Sequence, residues 1–222
     1  MAGQLRYRAV LFDLDGTLVD SYAALADAVN FARNQYGLAS LSAETIREFV
    51  GEGLERLLQR AFDTESVPAG ATAAFEARYD EVCCEQSQVL QDVESTLTAL
   101  DRIGVAMAVC TNKPTAFSRK ILEFLNLAPF FCAIVGPDVA GARKPAPQHV
   151  LRTLEATHCG REEALFVGDM PIDIEAAHNS GIAAAVVSTG SSSRSALKAA
   201  GADHYLDRLA DLVQIVRNGA SV

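Results

Sequence analysis

The chain has 222 residues, with 19 basic and 28 acidic side chains and a formal charge of −9 at pH 7. Half of the residues are apolar and 21% are charged, a composition typical of a soluble globular protein of one or two domains. The acidic balance argues against a nucleic-acid or membrane-surface partner, because either polyanion would repel the chain at long range. A small anion could still bind at a local site.

Cellular location and redox chemistry are constrained by what the sequence lacks. No apolar run approaches the roughly 20 residues that cross a bilayer. The N-terminus reaches a strand-like run directly, without an apolar signal core and cleavage site, so we expect a cytoplasmic protein. Five cysteines, an odd number with no Cys-x-x-Cys pair, predict neither a disulfide framework nor a thiolate zinc site.

Short apolar runs alternate with helix-length segments through most of the chain. Strands are expected at 9–14, 105–110, 133–135, 164–167 and 183–187. Helices are expected at 93–103, 114–125, 146–157, 172–179 and 207–216. The alternation predicts an α/β fold, a doubly wound parallel sheet covered on both faces. Ligands of such sheets bind beyond the carboxyl ends of the strands.

One segment, residues 21–88, breaks this alternation, with several helical patterns and no convincing strand. Helices are expected at 22–36, 43–50, 54–62 and 71–85, with breaks at glycine- and proline-containing turns. The sequence therefore predicts a core domain of residues 1–19 and 91–222, interrupted by an all-helical cap domain at 20–90. Hinges for cap movement are expected near 19–21 and 89–92.

The first predicted strand ends in two carboxylates, Asp13 and Asp15. Residues two apart on an extended chain point the same way, so both should face one site. Like charges this close require a cation or a shared proton, and a hard ion such as Mg²⁺ suits oxygen-only ligands. Taken alone, this segment also fits an ordinary strand followed by an Asp-Gly turn.

The fourth predicted strand repeats this arrangement, with Asp169 at its end and Asp173 four residues later. If the first and fourth strands are neighbours, Asp13, Asp15 and Asp169 converge on one cation, and Asp173 lies a turn further out. Each residue also has a purely structural interpretation, Asp169 as a helix N-cap and Asp173 as a first-turn acid.

Two further segments follow strands where a phosphate would need them. Thr111 and Asn112 offer a hydroxyl and backbone N–H groups at a helix start, although a plain N-cap is the alternative. Lys144 precedes Pro145, which favours an extended backbone at the lysine. Carboxylates, a hydroxyl and a lysine at successive strand ends fit phosphoryl transfer, which needs alignment and charge neutralisation more than acid strength.

Signatures of competing chemistries are missing from the sequence. The chain has no G-x-x-x-x-G-K-[ST] loop, no G-x-G-x-x-G and no G-x-S-x-G. Its four histidines lack metal-ligand spacing.

These motifs resemble those of the haloacid-dehalogenase-like hydrolase superfamily across essentially the whole chain. The matching motifs are Asp13-x-Asp15-Gly-Thr, Thr111-Asn112, Lys144-Pro145 and Gly168-Asp169-x-x-x-Asp173. The helical insert looks like that superfamily's alpha-helical cap of the first type. The stretches 12–21, 50–53, 111–115 and 144–147 look like bacterial phosphoglycolate phosphatases. The resemblance implies a Rossmann-like core with strand order 5-4-1-2-3.

The resemblance also implies a set of catalytic and metal-binding roles. Asp13 would attack phosphorus and form an aspartyl phosphate, while Asp15 would protonate the leaving alcohol and then activate water. Mg²⁺ would be held by Asp13, the backbone carbonyl of Asp15 and Asp169. Asp173 would order the metal shell or the lysine of the third motif.

The resemblance implies that Thr111 and the Asn112 amide bind the phosphate, and that Gly16 also belongs to the substrate-binding residues. Lys144 would neutralise the charge that develops in the reaction. Met170 departs from the pattern, because many relatives have Ser or Thr there.

The expected substrate is a small phosphorylated metabolite, 2-phosphoglycolate first, which would place the enzyme in carbohydrate metabolism. A sugar or amino-sugar phosphate, a phosphomutase like β-phosphoglucomutase and a non-enzymatic phospho-acceptor are the alternatives. Near the turn at Gly51, itself a candidate substrate-binding residue of the predicted cap, Arg47, Arg56 or Arg60 could pair with a substrate carboxylate. Glu52 at the same turn would suit sugar hydroxyls. A solvated helix face is the alternative for these charges. The sequence does not distinguish a monomer from a dimer.

Overall fold

A computed structural model describes residues 5–218 of the chain. The strands are β1 (Ala9–Phe12), β2 (Val19–Asp20), β3 (Gln88–Val89), β4 (Ala106–Cys110), β5 (Ala133–Val135), β6 (Ala164–Gly168), β7 (Ala183–Val187) and β8 (His204–Leu206). The helices are α1 (Tyr22–Asn34), α2 (Ala43–Phe49), α3 (Leu54–Phe62), α4 (Ala71–Val82), α5 (Val93–Arg102), α6 (Thr115–Phe124), α7 (Pro137–Ala140), α8 (Pro147–Glu155), α9 (Pro171–Asn179), α10 (Arg194–Ala200) and α11 (Leu212–Asn218). Three short 3₁₀ turns, Ala128–Phe130, Arg161–Glu163 and Leu209–Asp211, complete the described elements.

The main sheet has six strands in the order β5-β4-β1-β6-β7-β8, all parallel. Its central strand β1 is apolar at all four positions and completely buried, as expected for a strand covered by helices on both faces. Ala9 pairs with Ala106 of β4 on one side and with Ala164 of β6 on the other. The predicted α/β class is confirmed, and so is the proximity of the first and fourth predicted strands.

The helical insert, α1 to α4, leaves and rejoins the sheet region through a two-stranded antiparallel ribbon. In this ribbon Val19 of β2 pairs with Val89 of β3. Helix α1 is rich in alanine, and it buries most of its small side chains in the packing of the insert. The ribbon lies where the sequence predicted hinges, and it was itself missed because each strand has only two residues.

Three elements near the chain's later half were not predicted. Strand β8 has only three residues and α7 only four. Segments this short do not show the alternation of apolar residues by which a strand or a helix is predicted. A serine-rich loop that begins at Ser188 leads into α10, the third of these elements. The Ser193 hydroxyl caps this helix by accepting a hydrogen bond from the Ala196 N–H. The predicted helix at 207–216 is a 3₁₀ turn followed by α11.

The cysteines and the lengths of the helices bear on the expectations about disulfides and membrane spans. All five cysteines are free thiols. Within residues 5–218, no helix combines the length and the apolar character that a membrane span requires.

Candidate active site

Three carboxylates meet at the carboxyl ends of β1 and β6. Asp13 follows β1 and donates its backbone N–H to the carbonyl of Val167 in β6 (2.9 Å), which fixes it to the neighbouring strand. Asp169 follows β6, and Asp173 lies in the first turn of α9. Ligand atoms of the three side chains all lie within 4.8 Å of one another, and all three residues are buried.

Both carboxylate oxygens of Asp173 have protein partners. Its Oδ2 accepts hydrogen bonds from the backbone N–H groups of Asp169 (3.2 Å) and Met170 (3.0 Å), which caps the start of α9. Its Oδ1 accepts from Lys144 Nζ (2.7 Å). Asp173 therefore connects the acidic loop to the lysine.

Lys144 is buried, and its ammonium group lies between two carboxylates. In addition to the contact with Asp173, its Nζ lies 2.8 Å from Asp13 Oδ1. The backbone of this lysine is held by Asn112, whose Oδ1 accepts from the Lys144 N–H (2.8 Å) and whose Nδ2 donates to the Lys144 carbonyl (3.2 Å). The Asn112 side chain also donates to the carbonyl of Gly51 in the insert (3.1 Å). It thus joins three separate segments of the chain.

The acidic cluster carries uncompensated negative charge. Burial, opposed by the Lys144 ammonium, raises the pKa of Asp13 to about 6. Burial and then the neighbouring Asp173 and Asp13 carboxylates raise the pKa of Asp169 well above its usual range. Asp13 Oδ1 and Asp169 Oδ2 are buried without a hydrogen bond of acceptable geometry, although the first is in ion-pair contact with Lys144.

This donor set fits a divalent cation. Three carboxylates face one ammonium, so two negative charges remain to be balanced in a buried place. Oxygen ligands of this kind are those that Mg²⁺ prefers. The predicted role of Asp13 and Asp169 as metal ligands is therefore chemically consistent with their surroundings.

Asp15, the second acid of the first motif, lies in a separate ion pair. It accepts hydrogen bonds from Ser21 Oγ and from Lys113 Nζ (2.7 Å), and the lysine also donates to the Tyr79 hydroxyl of α4 (2.8 Å). Although burial opposes the shift, Asp15 and Tyr79 raise the pKa of Lys113 above its ordinary value. Burial raises the pKa of Tyr79 to about 12, although Lys113 acts to lower it, so the phenol keeps its proton at neutral pH.

A cavity of about 50 Å³ separates the strand ends from the helical insert. Its polar side is formed by Asp13, Asp15, Thr111, Asn112 and Lys113. The remaining wall is almost entirely apolar, and it is formed by Leu25, Val50, Gly51, Gly53, Leu54, Leu57, Phe75, Tyr79, Pro114 and Phe117. The arrangement places two carboxylates, a hydroxyl, an amide and an ammonium group opposite an apolar wall.

Two residues predicted to bind substrate, Arg47 and Glu52, do not line this cavity. Arg47 donates to the carbonyls of Thr189 (2.9 Å) and Gly190 (2.8 Å), and its guanidinium lies over the Tyr22 ring, 4.3 Å from the centroid. Glu52 is paired with Arg60 on the outside of the insert. The structure uses Arg47 to fasten the insert to the loop after β7.

The glycines of the predicted site are required by close approaches. Gly16 has a φ of 87°, and a Cβ there would lie 2.6 Å from Asp169 Oδ2. Gly51 has a φ of 121°, and a Cβ there would lie 2.1 Å from the Met170 sulfur. Met170 therefore packs where the insert crosses the acidic loop. A side chain at position 51 would displace the flexible end of Met170, and the positive φ disfavours any residue but glycine there.

Comparison with known proteins identifies the family. A family model described as haloacid dehalogenase-like hydrolase matches residues 10–187. The chain belongs to this family. The predicted family, fold class and hydrolase class are thereby confirmed.

Relatives of the chain carry phosphatase names. It is 36% identical over 215 residues to a phosphoglycolate phosphatase of Aquifex aeolicus (strain VF5), covering 95% of this chain and 97% of that protein. It is 35% identical over 215 residues to a phosphoglycolate phosphatase of Rhodospirillum rubrum, covering 92% and 89% of the two chains. A crystal structure of a predicted phosphoglycolate phosphatase from Haemophilus somnus 129PT superposes with a TM-score of 0.88 at 29% identity, covering 97% of this chain and 100% of that one.

Three residues that surround Asp15 in this haloacid dehalogenase-like hydrolase were not predicted from the sequence. Ser21, Tyr79 and Lys113 were not singled out, although Lys113 stands directly after the Thr111-Asn112 motif. That adjacency was the available signal, since a strand end places successive residues near the same site. Tyr79 gave no signal, because it is one aromatic residue on a helix of the insert.

Proposed function

We propose that the protein is a Mg²⁺-dependent phosphatase that hydrolyses a small phosphomonoester, with 2-phosphoglycolate as its substrate. The observation that carries this proposal is the buried group of Asp13, Asp169, Asp173 and Lys144 at the strand ends, next to a small cavity that also exposes Asp15. The choice of 2-phosphoglycolate rests on the likeness to proteins named phosphoglycolate phosphatase.

In the proposed mechanism, a carboxylate oxygen of Asp13 attacks phosphorus and forms an aspartyl phosphate. Asp15, which shares the cavity, gives a proton to the leaving alcohol oxygen and then takes one from the water that hydrolyses the intermediate. A proton taken from water by Asp15 restores the acid for the next cycle. Asp13 is released as a carboxylate when phosphate leaves.

The proposed Mg²⁺ ligands are Asp13, Asp169 and the backbone carbonyl of Asp15, with Asp173 in a supporting position. When bound, the ion neutralises negative charge on the phosphoryl group. Asp173 holds Lys144 through the 2.7 Å contact, so the ammonium has a fixed position beside Asp13. Lys144 would neutralise charge on a phosphoryl oxygen as the bond to Asp13 forms.

Thr111 and the Asn112 amide are proposed to bind the remaining phosphoryl oxygens, beside Gly16. The Asn112 side chain is occupied with the Lys144 backbone and with the Gly51 carbonyl, which leaves its backbone N–H for phosphate. The proposal includes a core domain of residues 1–19 and 91–222 and a cap domain of 20–90 that opens for substrate. A cytoplasmic location and a place in carbohydrate metabolism belong to the same proposal.

The proposal is tested by phosphate release from a panel of phosphomonoesters, with and without Mg²⁺. The panel contains 2-phosphoglycolate, hexose phosphates, amino-sugar phosphates, nucleotides and pyrophosphate. Preference for 2-phosphoglycolate is expected, and preference for another ester would move the substrate while keeping the mechanism. Interconversion of sugar phosphates without phosphate release, or a long-lived phosphoaspartate without turnover, would contradict a phosphatase.

A further inference from the structure

Lys113 is the one cation that lines the cavity within residues 5–218. Its side chain is only 5% exposed, and it reaches the cavity between Asp15 of the sheet region and Tyr79 of the insert. Burying an ammonium is costly unless charges and hydrogen bonds compensate it. Among the described residues, its three N–H groups have one carboxylate and one phenol as hydrogen-bond acceptors, so a donor remains for a ligand.

The Tyr79 hydroxyl supplies a second available donor. It accepts a hydrogen bond from Lys113 Nζ, and its own hydrogen has no acceptor among the described residues. Tyr79 is 1% exposed, so water outside the cavity does not satisfy this hydrogen. The lysine and the tyrosine thus place two adjacent donors, one of them charged, where the polar side of the cavity meets its apolar wall.

The position of this donor pair relative to Asp15 restricts the ligand. In the proposed reaction, the ester oxygen must come within hydrogen-bond reach of an Asp15 carboxylate oxygen, about 3 Å. Lys113 Nζ lies 2.7 Å from Asp15 Oδ1. A group attached to the ester carbon is therefore the part of the substrate that comes within reach of Lys113.

The rest of the cavity restricts the size of the alcohol. About 50 Å³ corresponds to roughly four water-sized volumes at ~10–15 Å³ each. The –CH₂–COO⁻ group has four non-hydrogen atoms and places its charge at one end. A hexose would have to bury several hydroxyls against leucine and phenylalanine side chains, with a large desolvation cost.

We infer that Lys113 and Tyr79 bind the carboxylate of the substrate, and that the enzyme selects phosphate esters of short 2-hydroxy acids. This inference rests on the proposed phosphatase function and assigns its substrate class to two residues. The arginines of the insert do not supply this charge. Arg33 and Arg47 are held by backbone carbonyls, Arg56 by Gln59, Arg60 by Glu52 and Arg78 by Asp27, and none of the five lines the cavity.

The test compares 2-phosphoglycolate with its carboxamide, in which an uncharged amide with the same number of non-hydrogen atoms replaces the carboxylate. We measure kcat/KM for both with wild-type enzyme, Lys113→Met and Tyr79→Phe. The ratio of the two values is the readout, because any effect of Lys113 on Asp15 acts on both substrates and cancels. Lys120→Met, an exposed lysine of α6, is the matched control.

Wild-type enzyme is expected to prefer the carboxylate by about 10²-fold, as charge-assisted hydrogen bonds to a buried cation would give. Lys113→Met should bring the ratio close to one, Tyr79→Phe should lower it about tenfold, and Lys120→Met should leave it unchanged. A preference that survives in Lys113→Met, or a wild type without preference, would overturn the inference while the phosphatase proposal stands. Hydrolysis of neither ester by the wild type would instead overturn the phosphatase proposal for this substrate class.

If the Lys113→Met variant is inactive toward both esters, a binding measurement tests the inference in place of kinetics. Both compounds are titrated calorimetrically into Asp13→Asn with Mg²⁺, with and without the added Lys113→Met change. The expected result is a loss of about 10²-fold in the affinity for 2-phosphoglycolate and little change for the amide. Equal losses for both compounds would show that Lys113 only supports Asp15, and would overturn the inference.

Discussion

The two walls of the cavity are built from different chemistry. The sheet wall carries Asp13, Asp15, Thr111, Asn112 and Lys113, positioned at strand ends whose backbones are fixed by parallel pairing. The insert wall consists of leucine, valine and phenylalanine side chains and the backbone of two glycines, with the Tyr79 hydroxyl as the one polar side-chain group among its described residues. The sheet wall carries the groups proposed for the reaction common to all esters, and the Lys113–Tyr79 pair, where the two walls meet, is suited to the selection of one. Changes at the reaction groups and changes at this pair should therefore differ in whether their effect depends on the substrate.

The largest effect is expected from Asp13, the proposed nucleophile, on the sheet wall. Asp13→Asn should lower kcat by roughly 10⁵-fold for every ester, because the amide cannot form the aspartyl phosphate. Phosphate release in saturating Mg²⁺ measures this, with Asp101→Asn on the exposed side of α5 as a fully active control. Substantial turnover by Asp13→Asn would show that another group attacks phosphorus.

Removal of Mg²⁺ tests the charge balance of the same wall. Chelation with EDTA should lower activity by on the order of 10³-fold, since the negative charges of the buried carboxylates and of the phosphate would repel each other. Added Mg²⁺ should restore the activity and raise the melting temperature. Full activity after exhaustive chelation would mean that the acidic cluster serves some other purpose.

Lys144→Met should differ from Lys113→Met in that its effect on kcat/KM does not depend on the substrate. Loss of the Lys144 charge should reduce kcat/KM by about 10²- to 10³-fold, and by the same factor for 2-phosphoglycolate and its amide. The exposed residue Lys198 provides the control variant Lys198→Met. A substrate-dependent effect of Lys144→Met would contradict this division between the reaction groups and the Lys113–Tyr79 pair.

The pH dependence of stability tests the electrostatics of the acidic cluster without substrate. Because burial raises the pKa of Asp13 to about 6, the metal-free folded protein retains a proton there that the unfolded chain loses near pH 4. This stabilising contribution is complete below pH 4 and is lost as the pH rises through 6. Asp13→Asn should therefore match the wild type near pH 4 and exceed it at pH 7, by roughly 2–3 kcal/mol in free energy of unfolding.

Urea denaturation in EDTA at the two pH values measures this difference. The control is the same pair of proteins in Mg²⁺, where the wild type should regain stability because the ion binds the carboxylates. An equal stability difference at pH 4 and pH 7 would show that Asp13 is not the group whose charge matters.

The smallest effect is expected where the insert meets the sheet region outside the cavity. Arg47→Ala removes two hydrogen bonds to the loop after β7 and should lower kcat/KM about tenfold. If Arg47 only fastens the insert, the loss is the same for 2-phosphoglycolate and its amide. A loss confined to 2-phosphoglycolate would assign the carboxylate to Arg47 instead of Lys113, as the sequence first suggested.

The strand ends were predictable because their physics is local and repeated. An apolar run followed by two carboxylates occurs at β1, and again in related form at β6, and parallel pairing brings the two together. The insert wall was not predictable in the same way. Tyr79 meets Lys113 across 34 residues of chain, and Arg47 binds carbonyl groups, which leave no trace in the pattern of side chains. Such contacts depend on how helices of the insert pack, not on the period of any one of them.

The β2–β3 ribbon has a consequence for how this enzyme could be remodelled. Val19 and Val89 pair directly, so the two ends of the 69-residue segment from Asp20 to Gln88 are neighbours at the sheet and close their own loop. A longer or shorter helical unit joined at this pair would leave Asp13 at the end of β1, but it would have to supply its own partner for Asp15 in place of the Ser21 hydroxyl. Exchange of the segment at this pair is therefore a route to a new choice of alcohol that keeps β1 and its Asp13.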